Sequence, residues 1–160
     1  MASHRTRHKE SAGLLLFRRA GDAIEVLLAH PGGPYWVGRD DAAWTIPKGG
    51  MNPGEQPLDT AIREFREETG FEPVPPFMPL GHIVQRSGKV VHAFAFEGDA
   101  DPSVLKSEMT TTEWPPKSGR WITVPEIDKA AFYQIDAARR FINAAQAELL
   151  DRLIHQLANG

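Results

Sequence analysis

The amino-acid sequence predicts an α/β domain that extends from about residue 11 to residue 160. Four short apolar runs fall into two pairs, and a turn sequence separates the members of each pair, which is typical of β-hairpins. Two other segments repeat apolar residues every three or four positions, which indicates amphipathic helices. With 160 residues, of which 41% are hydrophobic and 24% charged, the chain is long enough to bury one core. We therefore predict a single domain that contains both strands and helices.

The first ten residues, MASHRTRHKE, are polar and basic. No apolar stretch that resembles a signal peptide follows them, so we predict a disordered basic tail over residues 1–10. No apolar run approaches the roughly 18 residues that are needed to cross a bilayer, and the chain has no cysteine. These features predict a cytoplasmic protein without a membrane partner.

The charge balance limits the kinds of ligand that this chain can bind. A net charge of −3 disfavours a broad basic face, so we expect no stable nucleic-acid partner. A small phosphate-bearing molecule remains possible as a ligand, because bound divalent cations can supply positive charge. The sequence leaves open whether the protein is a monomer or a homodimer.

The first predicted hairpin consists of residues 12–19 and 24–30, which flank an Ala-Gly-Asp turn. The glycine and proline residues that follow predict a loop over residues 31–43. A short strand is predicted at residues 44–46. Residues 48–55, KGGMNPGE, again have the composition of a loop.

A helix is predicted from Pro57, because proline suits the first helical position and apolar residues recur at helical spacing after it. Gly70 is a natural end for this helix. Residues 80–85 and 89–97 flank a Ser-Gly turn and predict the second hairpin.

The C-terminal third begins with a long polar segment, residues 98–120, of the kind that often carries function. Residues 121–124, WITV, predict a strand. An amphipathic helix is predicted from Asp136, as its capping residue, to about residue 157.

Three glutamates of the first predicted helix lie at helical spacing within the stretch REFREE. Glu64, Glu67 and Glu68 occupy one side of the helix, and apolar residues form another side (Leu58, Ala61, Ile62 and Phe65). Like charges at this spacing cost a few tenths of a kcal/mol per pair. Binding of a hard divalent cation such as Mg²⁺ turns that repulsion into shared attraction, which favours a metal site. The alternative is a solvated helix face on which Arg63 pairs with Glu67.

The surroundings of these glutamates decide between the two interpretations. Residues 49–71, GGMNPGEQPLDTAIREFREETGF, match the Nudix box Gly-x5-Glu-x7-Arg-Glu-U-x-Glu-Glu-x-Gly-U, in which U is apolar. Phe65 and Phe71 occupy the apolar positions. The fixed positions are Gly49, Glu55, Arg63, Glu64, Glu67, Glu68 and Gly70. Seven fixed residues at these spacings are very rare by chance, and the chain resembles the Nudix hydrolase family.

The resemblance implies a Nudix-type α/β/α sandwich around a mixed β-sheet and the hydrolysis of a pyrophosphate linkage. It implies that Glu64, Glu67 and Glu68 hold Mg²⁺, with Mn²⁺ as a possible substitute, together with the backbone carbonyl of Lys48. Glu55 and Arg63 resemble the pair that braces the loop and orients the helix. The glycines at both ends of the box, Gly49 and Gly70, would support its shape.

Phosphoanhydride hydrolysis also needs a base that activates the attacking water. Glu64 is one candidate. Some relatives use a glutamate from a later loop instead, for which Glu113 and Glu108 are available here. We favour Glu113, because it lies next to Trp114 in the polar segment. An exposed loop glutamate without such a role is the alternative.

The substrate is less well defined by the sequence. The stretch WTIPKG resembles the entry to the box in hydrolases of diadenosine polyphosphates, and Lys48 could contact a phosphate. A tyrosine that those enzymes carry downstream of the box is missing. With HPGGPYW and EWPPKSG, the chain resembles a bacterial branch labelled as predicted NTP pyrophosphohydrolases.

Aromatic side chains are the candidates for stacking on a nucleobase. Tyr35 and Trp36 are the main substrate-binding candidates, with Trp114 and Phe132 as further ones. Packing beneath a loop is the alternative for each of them.

These observations predict a metal-dependent hydrolase of phosphoanhydride bonds in nucleotides, with dinucleoside polyphosphates or nucleoside triphosphates as substrates. Two alternatives remain open. One is removal of pyrophosphate from RNA 5′ ends, and the other is a nucleotide-sensing module without catalysis.

Overall fold

A computed structural model describes residues 9–160 of the chain. Residues 1–8, which form most of the predicted basic tail, lie outside the described residues. The first strand begins at Glu10, two residues earlier than expected, because Glu10 pairs with Val90 of a parallel strand. None of the helices formed by residues 9–160 has the length and apolar character that crossing a membrane requires.

Eight strands and three helices follow one another along the chain. In order they are β1 (Glu10–Ala20), β2 (Ala23–Pro31), β3 (Lys48–Gly50), α1 (Pro57–Thr69), β4 (Met78–Val84), β5 (Val90–Glu97), β6 (Met109–Glu113), β7 (Trp121–Pro125), β8 (Ile127–Gln134), α2 (Ile135–Phe141) and α3 (Ala147–Asn159). Short 3₁₀ turns lie at Pro34–Trp36, Pro102–Val104 and Ala144–Gln146.

Six strands form the central sheet in the order β4-β5-β1-β2-β8, and β3 pairs with β1. Strands β1 and β5 are parallel, whereas the other neighbours in this sheet are antiparallel, so the sheet is mixed. Strands β6 and β7 form a separate two-stranded arm.

Strand β1 explains why helices cover both faces of the sheet. Leu14, Leu15, Leu16 and Phe17 are all buried, and successive side chains of a strand point to opposite faces. Leu14 and Leu16 pack with Phe65 of α1, while Leu15 and Phe17 belong to the core formed with α2 and α3. The predicted α/β/α sandwich around a mixed sheet is confirmed.

The local predictions for both hairpins and for the first helix are confirmed. Helix α1 starts at Pro57 and is capped at its C-terminus by Gly70, whose φ of 76° lies in the left-handed region that glycine adopts without strain. Gln56 makes no capping hydrogen bond through its side chain. The helix is therefore held mainly by the burial of its apolar face.

Two predictions of local structure before α1 are wrong, and one strand after it was missed. Residues 48–50 form β3 rather than a loop, because they pair with Ser11–Gly13 of β1. Residues 44–46 form only isolated bridges, at Trp44 and Thr45, instead of a strand. Strand β8 was missed, because Asp128 and Lys129 interrupt the apolar pattern in its first half, although the strand pairs with β2 from Ile127 to Gln134.

The predicted helix from Asp136 to residue 157 is two helices. Helix α2 ends before Ile142, whose neighbour Asn143 donates its backbone N–H to the carbonyl of Trp44 (2.7 Å). The buried Gln146 side chain accepts a hydrogen bond from the backbone N–H of Ile46 (3.0 Å). These long-range hydrogen bonds replace helical ones and end α2. At the other end of α2, Asp136 lies in the first turn rather than at the capping position.

Candidate active site

A cleft of about 1100 Å³ opens beside α1 and β3. Four carboxylates line it, namely Glu10 at the start of β1, Glu64 and Glu68 of α1, and Glu126 from the junction of β7 and β8. Three lysines line the same cleft (Lys9, Lys48 and Lys89). The cleft therefore presents acceptors for a cation and donors for an anion.

Strand β3 and helix α1 are in close contact at the first glycine of the box. A Cβ atom added to Gly49 would lie 2.1 Å from the carboxyl carbon of Glu64, so only glycine leaves room for that carboxylate. The backbone N–H of Lys48 donates a hydrogen bond to Glu68 Oε1 (3.2 Å). Because β3 is paired with β1, these contacts fix the helix against the sheet.

Arg63 and Glu55 tie the loop before α1 to the helix itself. Arg63 donates from Nε to Glu55 Oε2 (2.8 Å) and from Nη2 to Glu55 Oε1 (2.9 Å), a bidentate geometry. Nη2 also donates to the carbonyl of Gly50 (3.0 Å). Glu55 accepts further hydrogen bonds from Thr60 Oγ1 (2.6 Å) and the N–H of Asn52 (3.0 Å). The loop is therefore closed by charged hydrogen bonds rather than by a hydrophobic core.

These contacts make the stability of the protein sensitive to acid. The hydrogen bonds from Arg63 lower the pKa of Glu55 from 4.5 to about 2. A carboxyl group with a depressed pKa stabilises the fold above its unfolded-state pKa, and that stabilisation is lost as the pH falls through its folded-state pKa.

We expect Glu55→Gln to reduce the free energy of unfolding at pH 7 by about 1–3 kcal/mol. The variant should also lose part of the wild-type dependence on pH between about 4.5 and 2, because the titrating group is gone. Urea unfolding across that pH range measures both effects. Glu72→Gln is the control, since its carboxylate pairs with Arg66 at the exposed surface. Equal pH profiles for Glu55→Gln and the wild type would contradict the assignment.

Two carboxylates of the cleft, Glu64 and Glu68, are partly buried, whereas Glu126 is exposed. Burial is the main cause that raises the pKa of Glu64, with Arg63 opposing it. Burial, together with the neighbouring Glu64 and Glu126 charges, raises the pKa of Glu68 well above its usual value. Burial also lowers the pKa of Lys48, although Glu68 opposes that shift. Negative charge on Glu64 and Glu68 is therefore costly in this arrangement.

The carboxylate oxygens of the cleft are ligands of the kind that a hard divalent cation prefers. They are not, however, gathered around a single point at which such a cation would bind. Within residues 9–160, no three acidic or histidine side chains stand close enough together to hold a metal ion. Arg63 Nη1 instead bonds Glu64 Oε1 (2.8 Å) and Glu67 Oε2 (3.1 Å), and Glu67 is not among the residues that line the cleft. The oxygen donors suit Mg²⁺ or Mn²⁺, and Glu67 would have to leave Arg63 to join them.

Glu126 is one of the cleft residues that sequence reasoning missed, together with Lys9, Glu10 and Lys89. Its backbone N–H donates to the carbonyl of Glu108 (2.8 Å), and its own carbonyl accepts from the N–H of Gly32 (3.0 Å). The N–H of Glu108 in turn donates to the carbonyl of Glu67 in α1 (3.0 Å). Glu126 is thus connected to α1 by backbone hydrogen bonds through Glu108.

The glycine pair after β2 explains how Glu126 is held from the other side. A Cβ atom on Gly32 would lie 2.0 Å from the carbonyl oxygen of Pro125, so the backbones are in direct contact. No local pattern marks Glu126, because it lies between β7 and the missed strand β8. The Gly-Gly pair in HPGGPYW was the only available sign of a close backbone approach.

Glu113, the favoured base, does not lie in the cleft. Its carboxylate accepts hydrogen bonds from the backbone N–H groups of Lys117 (3.1 Å) and Gly119 (3.0 Å). It therefore folds the turn between β6 and β7, and this position does not favour its assignment as the base, which stays a prediction. The other candidate, Glu108, contributes backbone bonds but is also absent from the residues that line the cleft.

The candidate aromatic residues separate into two groups. Tyr35, Trp36 and Trp114 line a slot of about 180 Å³ beside the cleft. Trp36 also packs against the hydrophobic core. Phe132 lies elsewhere, with the Arg18 guanidinium 3.7 Å from its ring centre.

Comparison with known proteins assigns this geometry to a family. The model of the family described as NUDIX domain matches residues 7–153. The chain belongs to the NUDIX family. Its box provides the loop and helix that line the cleft, and the predicted resemblance is confirmed.

Curated relatives of this NUDIX chain include two kinds of enzyme. One is an RNA pyrophosphohydrolase from Bartonella bacilliformis, 26% identical over 145 residues, which are 73% of this chain and 78% of that protein. Another is the asymmetrical bis(5′-nucleosyl)-tetraphosphatase of Mus musculus, 41% identical over 68 residues, 39% of this chain and 42% of that protein. The predicted enzyme class, hydrolysis of phosphoanhydride bonds in nucleotide substrates, is confirmed with the family.

Solved structures share the fold at low identity. A C. elegans Ap4A hydrolase in a binary complex superposes with a TM-score of 0.67 at 21% identity, covering 94% of this chain and 99% of that one. The NUDIX domain of Shewanella oneidensis NrtR, complexed with ADP ribose, gives a TM-score of 0.65 at 14% identity, covering 95% and 90%. These likenesses support the NUDIX fold of residues 9–160.

Proposed function

We propose that this chain is a divalent-cation-dependent hydrolase of dinucleoside polyphosphates or nucleoside triphosphates. The observation that carries the proposal is the single cleft in which Glu64, Glu68 and Glu126 face Lys48 and Lys89. A polyphosphate with bound cations satisfies both sets of charge at once.

The cation would be Mg²⁺, with Mn²⁺ as a substitute. The side chains of Glu64, Glu67 and Glu68 and the carbonyl of Lys48 would hold it. When bound, the ion neutralises charge on the phosphate oxygens and makes the attacking water more acidic. The raised pKa values of Glu64 and Glu68 support this role, because a cation relieves the burial and repulsion that cause them.

Glu126 is the base in this proposal. It removes a proton from water as the water oxygen forms a bond to phosphorus. The bridging P–O bond breaks, and the leaving phosphate oxygen takes its electron pair. Glu64 is less suited to this task, since its carboxylate is bonded to Arg63 and lies against the backbone of Gly49.

The lysines bind the phosphate chain. No ion pair joins the side chains of Lys48 and Lys89 to a carboxylate among residues 9–160. The two ammonium groups are close enough for Lys89 to contribute to the lowered pKa of Lys48. An extended polyphosphate relieves that repulsion, which favours substrates with three or more phosphates.

A second candidate function is removal of pyrophosphate from the 5′ end of RNA. It is favoured by the similarity to the RNA pyrophosphohydrolase of Bartonella bacilliformis. It is disfavoured by the net charge of −3, because RNA affinity depends on many phosphate contacts.

A substrate panel tests the proposal. The purified protein with Mg²⁺ is incubated with nucleoside triphosphates, diadenosine polyphosphates, ADP-ribose and triphosphorylated RNA, and the phosphate products are followed. We expect turnover of a diadenosine polyphosphate or a nucleoside triphosphate, its loss with a chelator, and its reduction by orders of magnitude in Glu68→Gln. Turnover of RNA alone would favour the second candidate. Binding without turnover of any compound would favour a nucleotide sensor and overturn the proposal.

A further inference from the structure

A slot of about 180 Å³ separates the loop after β2 from the β6–β7 arm. Its walls are the 3₁₀ turn Pro34–Trp36 on one side and Trp114 with neighbouring arm residues on the other. Thr110 and Glu126 line both the slot and the larger cleft. The slot is therefore continuous with the place where we expect the phosphate chemistry.

We propose that this slot binds the nucleobase of the substrate, with Tyr35 and Trp114 as its stacking surfaces. The proposal rests on the proposed function in one respect, namely that the ligand of the adjoining cleft is a nucleotide. A nucleobase is flat and aromatic, and it is joined through a ribose to the phosphate chain, so it would enter the slot while the phosphates remain in the cleft.

Tyr35 is held in place but still available to a ligand. Its side chain is 52% exposed. The Arg39 guanidinium lies 4.4 Å from its ring centre, and Arg39 Nε donates to the Tyr35 carbonyl (2.7 Å). Trp36 meets the same ring edge-on at 4.8 Å while packing against the core. Trp36 therefore supports Tyr35, and Tyr35 offers the ring for stacking.

Trp114 is fixed by the turn that Glu113 folds. The backbone N–H of Trp114 donates to the carbonyl of Arg120 (2.8 Å), which closes the arm directly above the slot. The Glu113 carboxylate binds the N–H groups of Lys117 and Gly119 within the same turn. In this proposal the motif EWPPKSGR acts in substrate binding, because its turn holds Trp114 at the slot. Glu113 then shapes the turn and does not transfer a proton.

The second tryptophan of the arm provides an internal control. Trp121 is 65% exposed and does not line the slot. It stands opposite Glu113 in the pairing of β6 with β7. The same arm thus carries a second tryptophan that lies outside the slot and is more exposed than Trp114.

The test compares the binding of AMP and ribose 5-phosphate to the full-length protein with Mg²⁺ by calorimetry. Neither ligand contains a phosphoanhydride bond, so neither is consumed. We expect the wild type to bind AMP about tenfold more tightly than ribose 5-phosphate, because the base of AMP stacks on an aromatic ring. Trp114→Ala should lose this preference, Trp114→Phe should keep most of it, and Trp121→Ala should equal the wild type.

A labelling experiment covers the case in which Trp114→Ala does not fold. The wild-type protein is photolysed with 8-azido-AMP, and the modified peptides are identified by mass spectrometry. Modification of the segments that contain Tyr35 or Trp114, competed by AMP, supports the slot. Equal affinity for AMP and ribose 5-phosphate, or modification elsewhere, overturns it.

The same measurements separate the two proposals. Selective AMP binding through Trp114 in a protein that hydrolyses no substrate would leave the slot standing and reject the proposed function. Equally fast hydrolysis of ATP and of inorganic tripolyphosphate, without selectivity for AMP, would leave the hydrolase standing and reject the slot.

Discussion

Replacing Glu126 by glutamine is expected to lower kcat by about 10²–10⁴-fold, the usual contribution of a general base. Glutamine keeps the size of the side chain but does not accept the proton from the attacking water. The backbone bonds of residue 126 to Gly32 and Glu108 are unaffected, so the fold should be retained. Initial rates over a range of substrate concentrations, together with melting temperatures, measure both effects.

Glu113→Gln is the matched control for Glu126→Gln. We expect a kcat close to that of the wild type, because the Glu113 carboxylate faces the turn of the β6–β7 arm. A change in KM would be consistent with movement of Trp114. A large loss of kcat in Glu113→Gln, with little loss in Glu126→Gln, would restore the assignment based on sequence and reject Glu126 as the base.

Replacing Arg63 by methionine is expected to reduce both activity and stability. The variant loses the bidentate bond to Glu55 and the bonds to Glu64, Glu67 and Gly50. We expect kcat to fall by about 10–100-fold, since residues that orient metal ligands have effects of this size. The free energy of unfolding should fall by about 2 kcal/mol, because Glu55 is left with an unpaired charge.

Arg66→Met is the control on the same helix. Arg66 pairs with Glu72, and both side chains are more than half exposed, so we expect a change in stability within about 0.5 kcal/mol. Urea unfolding and steady-state kinetics of both variants are the measurements. Similar losses in Arg63→Met and Arg66→Met would show that removal of any arginine from α1 has the same effect, and would reject the specific role of Arg63.

The position of Arg63 also bears on how a cation enters the site. Its Nη1 bonds both Glu64 and Glu67, which keeps their charges compensated. A divalent cation would compete with Arg63 for Glu67. The same arginine would then neutralise the helix carboxylates before a cation binds and orient them afterwards.

Much of the fold could be predicted because its signals are local. The turn between β1 and β2, the start of α1 at Pro57 and its end at Gly70 each depend on residues within a few positions of one another. The break after α2 could not be predicted in this way. Asn143 and Gln146 leave the helical pattern to bond with residues 44–46, which are about a hundred positions away.

The sequence by itself determined the NUDIX family, the helix that carries Glu64, Glu67 and Glu68, and the charge pair of Arg63 with Glu55. Their spacing within 23 residues of one loop and helix fixes which side chains are neighbours. Only the tertiary structure decided which later glutamate enters the cleft and which one folds a turn. Glu126 reaches the cleft because β7, β8 and the Gly32 backbone meet there, and such contacts depend on strand pairing between distant segments rather than on local pattern.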